Sequence, residues 1–127
     1  MAEFAIVLPI FLLLLFGIID GGRAVYANNA LSQGAREGAR WGSVQGRSET
    51  ATDRLGIADE TVARITAVPS PEATVTCERD GSAIATCAAG DILVVAVASD
   101  FQFVTPFLGN LMGEPTLTAE SKVMVNQ

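Results

Sequence analysis

The chain has 127 residues, room for about one domain, and half of them are apolar. Eight Lys and Arg against fourteen Asp and Glu leave a net charge of -6, the wrong sign for a nucleic-acid binder, which neutralises phosphates with a basic face. There is no histidine and there are only two cysteines, which removes the commonest general base and a four-ligand zinc site.

The apolar residues concentrate at the N-terminal end. Phe4 to Ile19 reads FAIVLPIFLLLLFGII with no charge, between Glu3 and Asp20. As a helix this stretch covers about 24 Å, short of the roughly 30 Å hydrocarbon core of a bilayer. A signal peptide, a buried core helix and a membrane-inserted helix that later packs against copies of itself compete for it. A signal peptide wants a basic n-region and a small-residue cleavage site, whereas Met-Ala-Glu precedes the run and Asp20-Gly21-Gly22-Arg23 follows it. A core helix is apolar on one face, and Ile10 to Ile18 is apolar nearly all round. The residues favour the third reading. Pro9 removes one helical hydrogen bond, and is either a tolerated kink in a lipid anchor or a bend that lets helices pack.

The helical pattern continues from Asp20 to Gln45, weakened by Gly21-Gly22. Asp20 and Arg23, three apart, are placed to pair on one face. Ala30, Gly34, Gly38, Gly42 and Gly46 recur every fourth residue, a row that lets another backbone approach closely. That backbone belongs either to another helix or to the chain's own sheet. Residues 1–46 thus form a long helix, the first twenty or so in a membrane or filament core. Residues 47–127 form a small extracytoplasmic α+β part.

In that second part, Leu55, Ala58, Val62 and Ile65 predict a short amphipathic helix within 47–68, starting near Ser48 or Thr52 and closed by Pro69-Ser70-Pro71. Ala73, Val75 and Cys77 alternate with Thr74 and Thr76 as a strand. The apolar run from Asp91 to Phe103 reads as a central strand covered on both sides. Leu117 to Val125 alternates as a half-buried final strand, reached through the apolar loop Val104 to Met112. The economical arrangement is a three-stranded antiparallel sheet laid over the long helix.

Cys77 and Cys87 are separated by the polar loop Glu78 to Ser82. A disulfide between them closes a hairpin connection and points to an oxidising compartment. Two buried thiols are the alternative, and a catalytic pair lacks both C-x-x-C spacing and a histidine. No nucleophile elbow, phosphate loop, paired catalytic carboxylates or metal cluster is present in the sequence. Glu60, Asp91 and Asp100 read as solvated or strand-end charges. Neither catalysis nor a cofactor or metal is expected.

The block Glu3-Phe4-Ala5-Ile6-Val7-Leu8-Pro9, the Leu-rich run, Gly17-Ile18-Ile19-Asp20 with Arg23, and Ala35-Arg36-Glu37-Gly38-Ala39-Arg40 resemble a TadE-like pilus-assembly protein. Asp100-Phe101 and Val104-Thr105-Pro106-Phe107 resemble that family's C-terminal half. The resemblance implies a type IV pilin-like fold and a pilin or pseudopilin. A prepilin peptidase trims a short basic leader in such proteins, and the helix then leaves the inner membrane for an extracellular filament. Processed pilins of this type carry their glutamate at the fifth position and here it is Glu3, so the point of cleavage stays open.

The implied partners are copies of the chain or other pilins, the cytoplasmic membrane, and the peptidase and assembly machinery. The expected assembly residues are Glu3, Phe4, Pro9, Leu13, Phe16, Asp20 and Arg23. Glu3 would be compensated by a neighbour's α-amino group or would sit at the lipid headgroups. A membrane-anchored binding or sensor domain that never polymerises is the other functional class. Under the filament reading, a chain starting near Asn28 is expected to be soluble and monomeric.

Overall fold

The computed structural model describes residues 2–45, 51–105, 109–110 and 113–126, without the side chains of residues 2, 3, 45, 51 and 52. Helix α1 spans Ala2–Gln45 and passes through Pro9. At 1.5 Å per residue it is about 66 Å long, and it divides into two halves by environment. From Phe4 to Ile19 its large apolar side chains are exposed, Phe4 at 80%. From Ala27 onward the same helix belongs to the core, with Ala27, Leu31, Ala35 and Ala39 buried every fourth residue.

Helix α2 spans Ala51–Arg64, and the strands are β1 (Glu72–Arg79), β2 (Ser82–Ile84), β3 (Ile92–Asp100) and β4 (Thr116–Met124). They form one antiparallel sheet in the order β2-β1-β3-β4. Helix α1 lies over β3 and β4, while α2 packs on β1 beside it. Alternation decides which side chains enter the core. Val75 and Cys77 of β1 and Leu93, Val95 and Val97 of β3 point to the helices, with Leu117, Ala119 and Val123 of β4 half-buried beside them.

The sheet has four strands rather than three. The fourth is the short β2, turned back by Asp80 and Gly81, both with positive φ (52° and 78°), between the paired Arg79 and Ser82. Asp-Gly with both residues left-handed is the two-residue hairpin whose twist matches the strands it joins. The signal lies within the segment expected to be a polar loop. The expectation that β3 is covered on both sides holds in part: on the face away from the helices Val94 is also buried, at 5%, while Ile92, Ala96 and Ala98 are half-buried. The helices cover one face; on the other, Val94 is flanked in register by Thr76 and Lys122. The Lys122 ammonium reaches Glu78 at 3.1 Å and Glu120 at 3.4 Å across that face.

Helix α2 is rotated from its expected orientation. Leu55 is 64% exposed, and the buried residues are Ile57, Ala58, Thr61 and Ile65. The small-residue row of α1 explains the rotation. A Cβ built at Gly42 would press on Ile57 and Leu93, one at Gly38 on Thr61, and one at Gly34 on Ile65. Two rows with a four-residue period, running antiparallel, lie ridge into groove. The row therefore receives another helix, the chain's own α2, along most of its length, and meets the sheet at Gly42 through Leu93. Ala30 is half-buried at the row's end, and Gly46 lies outside the described residues.

Candidate functional site

Asp20 follows the last residue of the exposed apolar segment, and its side chain is 1% exposed. Its two carboxylate oxygens accept hydrogen bonds from the Val104 and Thr105 backbone N–H groups, each at 3.0 Å. These partners lie 84 and 85 residues away in sequence. Charge-assisted bonds to backbone amides are among the stronger ones available, so one side chain pins the β3–β4 connection to α1. The expected pairing with Arg23 is present, at a long 3.5 Å. Arg23 also donates to the Gln102 carbonyl at 3.4 Å and stands over the Phe101 ring, 5.6 Å from its centroid. Phe101 packs edge-to-face on Phe103, with centroids 5.3 Å apart. The junction of stem and head is thus a built site, centred on Asp20, at the point where the exposed half of α1 ends.

The other expected assembly residues do not converge on this junction. Phe4, Leu13 and Phe16 are exposed along the stem, and Pro9 lies within the helix. Glu3 is in the first turn, its side chain outside the described residues, as are Pro106 and Phe107.

At the opposite end of the sheet, Cys77 and Cys87 form a disulfide with Cα atoms 5.5 Å apart. It joins β1 to the loop before β3, and closing such a loop contributes about 2–4 kcal/mol. Asp91, expected to be a solvated or strand-end charge, is only 5% exposed. It takes a two-pronged contact from Arg79 at 2.6 and 2.7 Å and a bond from the Ala88 N–H at 2.7 Å. No neighbour in sequence announces this pair. Arg79 and then the Ala88 N–H hold the Asp91 carboxyl well below the ordinary 3.8, at about 2. A group depressed in the folded state stabilises the fold above its unfolded pKa and loses that contribution as pH falls toward its folded one. The melting temperature should therefore drop between about pH 4 and about pH 2. In Asp91→Asn, calorimetry should show a lower melting temperature at pH 7 and a shallower fall across this window.

Among the described residues no group of three or more His, Cys, Asp or Glu could hold a metal ion. An open groove of about 770 Å³ lies along α1 beside the end of α2, lined by Tyr26, Asn29, Gln33, Arg36, Arg40 and Arg64 among others. Arg64 is engaged there by Glu37 and Glu60.

A long helix with an exposed apolar half, joined through a buried carboxylate to an α+β head, is the architecture that these residues define. Its helix is long and apolar enough to cross a membrane. Residues 1–40 match the model of the family described as TadE-like protein. That match takes in the stem, Asp20, Arg23 and the Ala35–Arg40 block and stops before α2. The resemblance carried by Asp100-Phe101 and Val104–Phe107 lies outside it. No curated protein and no solved structure gives a significant match to the chain.

Proposed function

We propose that the chain is a non-catalytic structural subunit, a pilin or pseudopilin, of an extracellular filament. The carrying observation is the exposed apolar half of α1, Phe4 to Ile19. Apolar surface of this extent on one helix calls for lipid or other helices around it. Anchored in the inner membrane, the helix holds the head on the extracytoplasmic side, where the Cys77–Cys87 disulfide persists. On assembly the same surface exchanges lipid for the helices of neighbouring subunits. Copies of the chain or other pilins are the partners, and a prepilin peptidase and the assembly machinery act on it beforehand. The TadE-like match over the stem supports this reading.

Removal of the stem tests it. A chain beginning near Asn28 lacks Asp20, Arg23 and the buried Ala27, so its head loses the clasp on the β3–β4 connection. A chain beginning at Gly17 keeps the clasp and should be soluble and monomeric by light scattering, with no filaments under the microscope. Filaments built by that shortened chain would refute helix-driven assembly.

Glu3 supplies a second test, on the proposal that its carboxylate compensates a neighbour's α-amino group in the bundle. An unpaired ammonium among apolar helices is costly, so Glu3→Gln should stay in the membrane with its head folded yet enter sheared filaments poorly. Normal incorporation, measured by mass spectrometry of the sheared material, would leave Glu3 as a residue at the lipid headgroups.

A further inference from the structure

We propose that the base of the head, at Phe103 and Val104, dips into the outer edge of the lipid bilayer, about 9 Å inside a boundary that lies on α1 near Tyr26 instead of at Asp20. The inference rests on the membrane-anchored reading above and adds a second, tertiary point of contact with lipid.

The first observation is a mismatch of length. Phe4 to Ile19 reaches about 24 Å, while the hydrocarbon core needs roughly 30 Å. Continued to Tyr26 the helix reaches about 34 Å, enough to span. The sequence permits that continuation. Between Ile19 and Arg36 the charged residues are Asp20 and Arg23 alone. Gly21 and Gly22 have open space around them, and Val25 and Tyr26 are exposed. Arg23, half-exposed, has a stem long enough to carry its guanidinium toward the headgroups, and tyrosine favours that same layer.

Asp20 would forbid this placement if its carboxylate faced lipid, and it does not. Both of its oxygens are occupied by backbone N–H groups and the side chain is covered by protein. What covers it fixes the depth of the head. The Val104 nitrogen is 3.0 Å from Asp20 Oδ1, so Val104 lies at the level of Asp20, below Tyr26. Val104 is 57% exposed, an apolar residue held by its backbone N–H to Asp20, the residue that follows the exposed apolar stem. Phe103 beside it is half-buried. In sequence, Phe101 to Gly113 holds no charged residue. The connection's one charge is Glu114, exposed and lining a cavity with Phe103 and Gln102. Only the Val104 side of the base is therefore free of charge, and the Glu114 carboxylate must reach the headgroups. The charged far side of the sheet, with Glu78, Glu120 and Lys122, lies beyond it toward water.

The depth is read with tryptophan in the full-length protein, reconstituted into phosphatidylcholine vesicles whose acyl chains are brominated. The native Trp41 lies about 31 Å along α1 beyond Asp20 and gives a constant background. Three variants are compared: Leu15→Trp in the stem, Val104→Trp at the base, and Met124→Trp, an exposed position at the far end of the sheet. Brominated lipid should quench the added emission of Leu15→Trp strongly, that of Val104→Trp by about half as a residue at the bilayer's outer edge, and that of Met124→Trp hardly at all. If Leu15→Trp is quenched and Val104→Trp is not, the head stands clear of the bilayer and the proposal is wrong. A Val104→Trp emission that is blue-shifted but unquenched assigns the surface to a second copy of the chain and also overturns it. Equal quenching at positions 104 and 124 means that the head lies flat on the lipid, which contradicts a boundary at Tyr26. No quenching even at position 15 removes the membrane-anchored reading, and this one with it.

Discussion

Asp20→Ala should loosen the head from the stem and lower the melting temperature of the chain beginning at Gly17 by roughly 10 °C. The substitution leaves two backbone N–H groups without their acceptor, and the one on Thr105 is buried. A buried donor left unsatisfied costs about 1–3 kcal/mol. Arg23 loses its carboxylate partner at the same time, although that pair is long and half-exposed and contributes little. The loss should be local before it is global. Amide exchange at Val104 and Thr105 should rise by at least about tenfold, while the core strand residues Val95 and Val97 stay protected until the head unfolds. Asp20→Asn should fall between, because one carboxamide oxygen accepts where two carboxylate oxygens did and its NH2 group opposes the second donor. Unchanged exchange at both amides in Asp20→Ala would show that the loop is held by other contacts.

Gly38→Ala should destabilise the head, against the usual trend for a glycine inside a helix. Propensity alone favours alanine by about 1 kcal/mol. Here the new Cβ would stand 3.0 Å from Thr61 Cβ and 2.9 Å from its Cγ2, with Oγ1 nearer still. Thr61 cannot swing aside easily: it is wholly buried, branched at Cβ, and its hydroxyl donates to the Ile57 carbonyl at 2.6 Å. Helix α2 must therefore shift off α1, and overpacking of this kind costs about 1–3 kcal/mol before the propensity gain. Gly38→Leu should be worse, to the point of unseating α2. Gly22→Ala is the control. Nothing lies within 4 Å of its Cβ position, so the same change there should be neutral or stabilising by denaturant titration. Thr61→Ala combined with Gly38→Ala should recover part of the loss, because contacting sites are not additive. Equal and favourable effects at Gly22 and Gly38 would mean that α2 does not seat on the glycine row.

The sequence by itself determined the elements whose signals are local. The uncharged run from Phe4 to Ile19 and its continuation to Gln45 declare one long helix, because apolar content and the absence of an interior breaker after Pro9 act within a few turns. Alternation at Ala73–Cys77 and Leu117–Val125 declares strands for the same reason, whereas Asp80-Gly81 carries a two-residue turn signal that reads as part of a polar loop because β2 behind it is only three residues long. The row of glycines showed that something packs closely on α1. Period alone does not say what, since a four-residue repeat fits a second helix, a sheet or another chain.

Only the tertiary structure decided the partners. Leu55, Ala58, Val62 and Ile65 satisfy a helical period, yet α2 turns Leu55 outward because Ile57, Thr61 and Ile65 are the residues that fit the glycine groove. Asp91 carries no sequence mark of burial until Arg79, on a different strand, reaches it. Asp20 is the sharpest case. Beside Arg23 it reads as one half of a helix-surface ion pair, while its main partners are backbone amides 84 and 85 residues away. A backbone N–H is the same group on every residue but proline, so no residue type announces it as a partner; it becomes one only where the fold leaves it without another acceptor.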